Sequence, residues 1–301
     1  MELLIGVMEQ GLIFSIVAIG VYMTYRILDF PDLSVDGSFP LGAAVAAVCL
    51  VRNVNPFVAC ILGFAAGCVS GFFTGIIHVK LKINNLLSGI LVMIGLYSIN
   101  LRVMGKSNIP LFAKTTIFSG AVKPLIVIAL FTIVVKIALD LFLRTKLGFI
   151  LIAAGNNEQL VTMLSVNKDN IKVLGLMISN GLVALAGAMM AQYQGFSDVT
   201  MGTGTVVMGL AAVIIGESMF KKINAIKATT LAVIGSVVYK GAIAMALKFG
   251  LAPTDLKLVT ALIVIVAISL NGNSLGFNRK KKLVLGGGQL AENRKFIQGV
   301  Q

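Results

Sequence analysis

Val122-Lys123-Pro124-Leu125-Ile126-Val127-Ile128-Ala129-Leu130-Phe131-Thr132-Ile133-Val134-Val135-Lys136-Ile137-Ala138-Leu139-Asp140-Leu141-Phe142-Leu143 carries only three charged residues, Lys123, Lys136 and Asp140. A run this long and this apolar matches the roughly 17–25 residues that an α-helix needs to cross the hydrocarbon of a bilayer. Lys136 and Asp140 stand four apart on one helix face and are expected to pair. The rest of the chain repeats the pattern. Of its 301 residues 57% are hydrophobic and 12% charged, with a mean hydropathy of +0.97. Soluble domains carry about 25% charged residues. That shortage excludes both a soluble globule and a disordered chain, and points to an all-α polytopic membrane protein.

About nine apolar segments are legible, at 3–25, 38–51, 56–79, 84–100, 122–143, 172–194, 204–220, 226–247 and 255–271. The short or broken ones, 38–51 and 204–220, are of the kind that can leave backbone groups free to line a solute site. A tilted neighbour covering a short helix is the plainer alternative. The reading gives one membrane domain over 1–271, with a cytoplasmic loop at 144–171, and a basic cytoplasmic tail over 272–301. Lys and Arg accumulate on cytoplasmic loops. With the N-terminus outside, sixteen of the 25 basic residues fall inside, six outside and three within segments. The net charge of +13 is thereby assigned to the anionic inner leaflet and not to nucleic acid. The loop 101–121 is basic yet falls outside, which would be eased if it met a partner.

Catalytic chemistry is sparse. Cys49, Cys60 and Cys68 lie in apolar sequence without metal or redox spacing, and His78 is the single histidine. No metal site, no Ser-His-Asp set and no phosphate-binding Gly-Lys loop is expected, so the chain reads as no enzyme and as holding no cofactor. Ionisable and amide side chains in or beside membrane segments are costly and tend to face a cavity or a partner. By that rule the candidate path residues are Asp32, Ser34 and Asp36 beside the second segment, Asn84, Asn85, Ser88 and Asn100 along the fourth, and Asp198, Thr200 and Thr203 beside the seventh. Helix capping is the plain competing role for each. Glu217 is expected to pair with Lys221, and Lys240 either snorkels or joins the path. Gly63, Gly67, Gly71 and Gly75, four apart, form a stripe suited to close helix packing. Phe30-Pro31-Asp32-Leu33-Ser34 resembles Phe196-Ser197-Asp198-Val199-Thr200, which hints at an internal duplication.

The loop Leu147-Gly148…Ala154-Gly155-Asn156-Asn157-Glu158-Gln159-Leu160-Val161-Thr162-Met163-Leu164-Ser165-Val166-Asn167-Lys168 differs in kind. Asn156 and Asn157 can cap a short helix, and Glu158 suits its positive end. Leu160, Val161, Met163 and Leu164 supply a greasy face that needs lipid or a partner. Across Gly148 to Gln192 the chain resembles permease subunits of ABC importers of the ribose and branched-chain amino acid type, through Leu-Gly, Ala-x-Gly, Asn-Glu, Leu-Ser and Asn-Lys and the small-residue helix from Leu182 to Gly187. Asp32-Leu33-Ser34-Val35 with Gly37-Ser38, and Gly202-Thr203-Gly204 with Leu210 to Gly216, are similar to two further family blocks. Asp36 is an insertion, and Ser165 stands where the family usually has Gly.

The resemblance implies a multi-pass protein of the bacterial inner membrane that forms the path for a small polar solute. A subgroup linked to uptake of amino acids, aromatic ones among them, is the nearest in pattern. Residues 155–164 would then be the coupling helix, with Gly155, Asn156, Asn157, Glu158, Gln159, Leu160, Val161, Met163 and Leu164 meeting a separate cytoplasmic ATPase that binds ATP and Mg. An extracellular binding protein would deliver the solute, and a second copy would complete a homodimer. An ion- or proton-coupled secondary transporter is the alternative, and an intramembrane enzyme the least supported.

Overall fold

The computed structural model describes residues 2–120, 122–220, 227–250 and 255–272. The tail from 273 onward, Lys221 and Lys222 lie outside the described residues, as do the side chains of Glu158 and Leu160. The described residues are mostly helical, with two short strands and the turns that join these elements. Its helices are α1 (Glu2–Tyr22), α2 (Val35–Val51), α3 (Pro56–Leu81), α4 (Asn85–Met104), α5 (Pro124–Leu143), α6 (Lys146–Asn156), α7 (Glu158–Met163), α8 (Lys168–Gln194), α9 (Thr205–Met219), α10 (Ala228–Lys248) and α11 (Leu256–Gly272). Each apolar segment of the sequence falls on one of them. Among the described residues six helices are long and apolar enough to cross a membrane: α1 with its extension to Ile27, α3, α4, α5, α8 and α10. Among the others α2 has 17 residues, α9 has 15 and α11 has 17.

Local sequence sets the boundaries. Asn55, Asn84 and Asn167 cap α3, α4 and α8 by accepting from the amides of Phe57, Leu86 and Asp169 at 2.9, 3.1 and 2.9 Å. Pro56 and Pro124 occupy first turns, where a missing N–H costs nothing. Gly105 and Gly195 end α4 and α8 in the left-handed region, at φ 69° and 76°. α1 widens into a π-turn at Met23–Ile27 before the chain turns back.

Helix α8 is the axis, and the glycine stripe of α3 lies along it. Any side chain at Gly67 would strike Ala184 and the Asn180 carbonyl, and one at Gly71 the Leu176 carbonyl. Backbones can approach this closely only without a Cβ, so the stripe is a packing seam. Helix α2 is wrapped by α8, α3 and α4. Its residues from Gly37 to Ala44 are all buried, as expected of a helix that is apolar all round.

The two short helices meet end to end. Asp36, in the first turn of α2, accepts from the amides of Gly204 and Val206 at the start of α9, at 2.9 and 2.8 Å. From this junction they run apart. α2 ends beside Lys114, whose ammonium donates to the Val51 carbonyl at 3.1 Å. The last turn of α9 carries Glu217, which pairs with Arg26 in the π-turn that follows α1. The two similar words precede these helices and fold alike. Asp32 Oδ1 accepts from the amide and hydroxyl of Ser34 at 2.8 and 2.6 Å, and Asp198 Oδ1 from those of Thr200 at 2.8 and 2.5 Å. Two equivalent units approached from opposite ends have the character of an inverted repeat.

The basic loop 105–123 folds onto its own chain. Its strand β1 (Asn108–Pro110) pairs antiparallel with β2 (Phe196–Asp198), with Ile109 opposite Ser197. Lys114 is further held by Asn53 Oδ1 at 3.1 Å.

Candidate functional site

The junction of α2 and α9 borders a cavity of about 480 Å³, lined by Asp36, Asn100, Tyr97, Thr200 and Thr203 with apolar groups of α4. Its volume lies in the ~300–1,000 Å³ range of small-molecule sites. Four of the sequence-derived candidates therefore converge here from three separate stretches of chain. Asn100 is fully buried. Its amide nitrogen donates to the Gly37 carbonyl at 3.2 Å, while its Oδ1 has no hydrogen-bond partner among the described residues. A buried acceptor left unpaired costs about 1–3 kcal/mol, which a polar solute group could recover.

Asp32 and Ser34 are placed differently. Both are buried and line neither this cavity nor the one described next. Asp32 Oδ2 accepts from the Asn180 amide at 2.8 Å. Asn180 Oδ1 accepts from the Ser38 hydroxyl at 2.6 Å, and Ser38 meets Ser70 at 2.8 Å. The chain Ser70–Ser38–Asn180–Asp32–Ser34 staples α3, α2 and α8 to the turn before α2. Asn84 caps α4, and Ser88 donates to the Asn85 carbonyl at 2.8 Å. These three residues line neither cavity and occupy the plain local roles weighed for them.

A second cavity, of about 360 Å³, opens beside the first between α1, α2, α8, α10 and β2. Lys240, Phe14, Phe39, Phe196, Asp198 and Thr200 are among its walls. The Lys240 ammonium sits over the Phe14 ring, 3.7 Å from its centroid, and no ion pair joins it to a carboxylate among the described residues. A cation–π contact contributes about 0.5–2 kcal/mol, below the ~2.5–3.5 kcal/mol cost of a lysine at the centre of a membrane helix. Asp198, between α8 and α9, is held below the usual carboxylate range, chiefly by the hydroxyl of Thr200 and further by its amide and by Asn108.

At the opposite end lies the loop element. One continuous coupling helix over 155–164 is expected from sequence; instead Asn157 breaks it, with φ −156° and ψ 99°. Asn157 caps α7 by accepting from the Gln159 amide at 3.0 Å. Asn156 closes α6 and is not a cap of α7. Gly155 also belongs to α6, pressed so closely on the Ile27 carbonyl that a side chain would collide with it. Val161 is fully buried, so the greasy face is narrower than expected, whereas Met163 and Leu164 are 83% and 55% exposed. The element thus bears on the π-turn of α1, next to the stretch that leads to Asp32 and α2.

Two pairings can be compared with expectation. Lys136 meets Asp140 at 3.2 Å as foreseen, but Lys227 and Thr229 of α10 join them at 2.8 and 2.6 Å. Glu217 pairs with Arg26, because α1 and α9 run side by side in the same direction; its expected partner, Lys221, lies outside the described residues. The sequence reading passed over Asn180, Phe14, Phe39 and Tyr97. For Asn180 a signal existed, as an amide in the middle of an apolar helix is costly. The aromatic residues carry none, since a Phe in such a helix is ordinary.

Comparison with known proteins bears on this architecture. Residues 3–269 match the family described as branched-chain amino acid transport system / permease component. The chain is 53% identical over 278 residues to a tyrosine transport system permease protein of Clostridioides difficile, covering 92% of this chain and 94% of that one. It is 36% identical to an uncharacterised protein of Rickettsia prowazekii over 89% of this chain and 98% of that one. It is 28% identical to the ribose import permease protein of Escherichia coli over 71% and 68%. No solved structure matches the chain at a significant level. A match over almost the whole helical region leaves the self-powered carrier without support, and the chain belongs to the permease family of ABC-type branched-chain amino acid transport systems.

Proposed function

We propose that this permease imports an amino acid, an aromatic one such as tyrosine, through the cavity at the α2–α9 junction. The observation that carries the substrate is the 53% identity, over 92% of the chain, to a tyrosine transport system permease. The site is supported by the convergence of Asp36, Asn100, Thr200 and Thr203 on one cavity. Nine helices cross the bacterial inner membrane, with the N-terminus outside and the basic tail within. A solute-binding protein docks at the outer end, where β1 and β2 lie. A cytoplasmic ATPase, holding ATP and Mg, receives the exposed Met163 and Leu164 of the α6–α7 element. Because α6 packs on Ile27, movement of that element is transmitted to the stretch before α2. Two copies form the working unit.

The test is reconstitution. The chain is expressed with its native neighbours, extracted in mild detergent and placed in liposomes. A stoichiometric ATP-binding subunit that co-purifies, and ATP-dependent uptake of labelled tyrosine exceeding that of leucine and ribose, is the expected result. Uptake of ribose alone would overturn the substrate; uptake without ATP that collapses with an ionophore would overturn the ABC mechanism.

A further inference from the structure

We infer that the cavity around Lys240 is a recognition site for the carboxylate of the transported amino acid, with Phe14 and Phe39 receiving its side chain. This rests on the amino acid reading above and deepens it, because Lys240 belongs to a different cavity from the junction.

The argument begins with an unbalanced charge. Lys240 stands about two turns short of the end of α10, which runs Ala228–Lys248. Its ammonium sits over the Phe14 face. The carboxylates nearest in the surrounding elements are otherwise engaged. Glu9 of α1 accepts from the Tyr193 hydroxyl at 2.8 Å, and Asp198 accepts from Thr200 and from Asn108. A cation that pairs with no carboxylate among the described residues is arranged for an anion that arrives. The ring beneath it narrows the choice. Phe14 and Phe39 stack with centroids 5.9 Å apart and planes at 24°, and both line the cavity together with Phe196. An inorganic anion has no use for such a wall; a carboxylate attached to an apolar or aromatic group does. Asp198, in the same wall, offers a counterpart for an α-ammonium. A cation, an anion and stacked rings around about 360 Å³ fit a zwitterion with an aromatic side chain. Thr200 lines both cavities, so a solute received here lies next to Asp36 and Asn100.

Saturation-transfer NMR on the purified transporter, without its binding protein, reads the site directly. L-tyrosine and 3-(4-hydroxyphenyl)propionate should give signals and tyramine, which lacks the carboxylate, should not. Lys240→Met should abolish both signals and lower uptake by about tenfold to a hundredfold, the range for a lost charged hydrogen bond, and Lys240→Arg should restore part of each. Tyramine binding as well as tyrosine, or Lys240→Met retaining the tyrosine signal, would overturn the inference while the importer reading stood. If Lys240→Met fails to fold, the wild-type ligand series decides alone. A wild-type transporter that imports no amino acid would instead sink the reading on which this one rests. A signal that follows the anionic lipid content of the micelle, and not the solute, would assign Lys240 to a headgroup.

Discussion

Asp36 ties two helices with one carboxylate. It accepts from the amides of Gly204 and Val206, the orphan donors at the start of α9, while sitting in the first turn of α2. Asp36→Ala should destabilise the junction by about 0.5–2 kcal/mol, the usual cost of losing a cap, and should lower uptake because the cavity wall moves with it. Thermal unfolding in detergent and the uptake rate check the two parts separately. Asn180 is the deeper constraint. Replacing it by Ala leaves Asp32 Oδ2 without its donor and removes the shortest of the Ser38 bonds, at about 1.5–3 kcal/mol for a hydrogen bond to a charged group. The expected result is lower thermal stability with the ATPase still bound, and a stable, fully active Asn180→Ala would return the network to decoration. Asp32 and Asn100 illustrate what a sequence conveys at this scale. The cost argument marks both as polar groups in an apolar region, but it cannot tell a sealed network from a cavity wall. That distinction depends on which helix supplies Asn180, 148 residues away from Asp32.

At the scale of elements, α7 is the sharpest case. Its existence was legible, because Asn157 is a good cap and Glu158 suits a helix N-terminus. Its start was not, since nothing local says that Gly155 must press against the Ile27 carbonyl and so belong to α6. Met163→Glu together with Leu164→Glu should detach the ATPase, by placing charge on the most exposed apolar part of the element. Co-purification and circular dichroism check it: loss of the partner with unchanged helicity is expected, and retention of the partner would relocate the docking face. The short helices tell a parallel story. Segments 38–51 and 204–220 stand out as short or broken, and the structure makes them α2 and α9, which abut at their N-termini.

Across the whole molecule, the helix pairings divide the chain into two ends. One carries β1, β2 and Lys114; the other carries α6, α7 and the Arg26–Glu217 pair. With native cysteines replaced, Ser119→Cys should react with a membrane-impermeant maleimide added outside intact cells, and Ser165→Cys only after permeabilisation. The reverse pattern would invert the orientation drawn from Lys and Arg. The sequence by itself determined that this is a helical membrane protein and where its apolar segments lie. Those properties follow from composition and from periodicity within single segments, so they are local. The tertiary structure alone decided that Asp36 caps α9, that Asn180 closes on Asp32, and that Lys240 shares a cavity with Phe14, Phe39 and Asp198. In a bilayer each helix satisfies its own backbone, so the sequence of one helix leaves its neighbours open. Small-residue seams and a few buried polar bonds make that choice, and they exist only when distant segments meet.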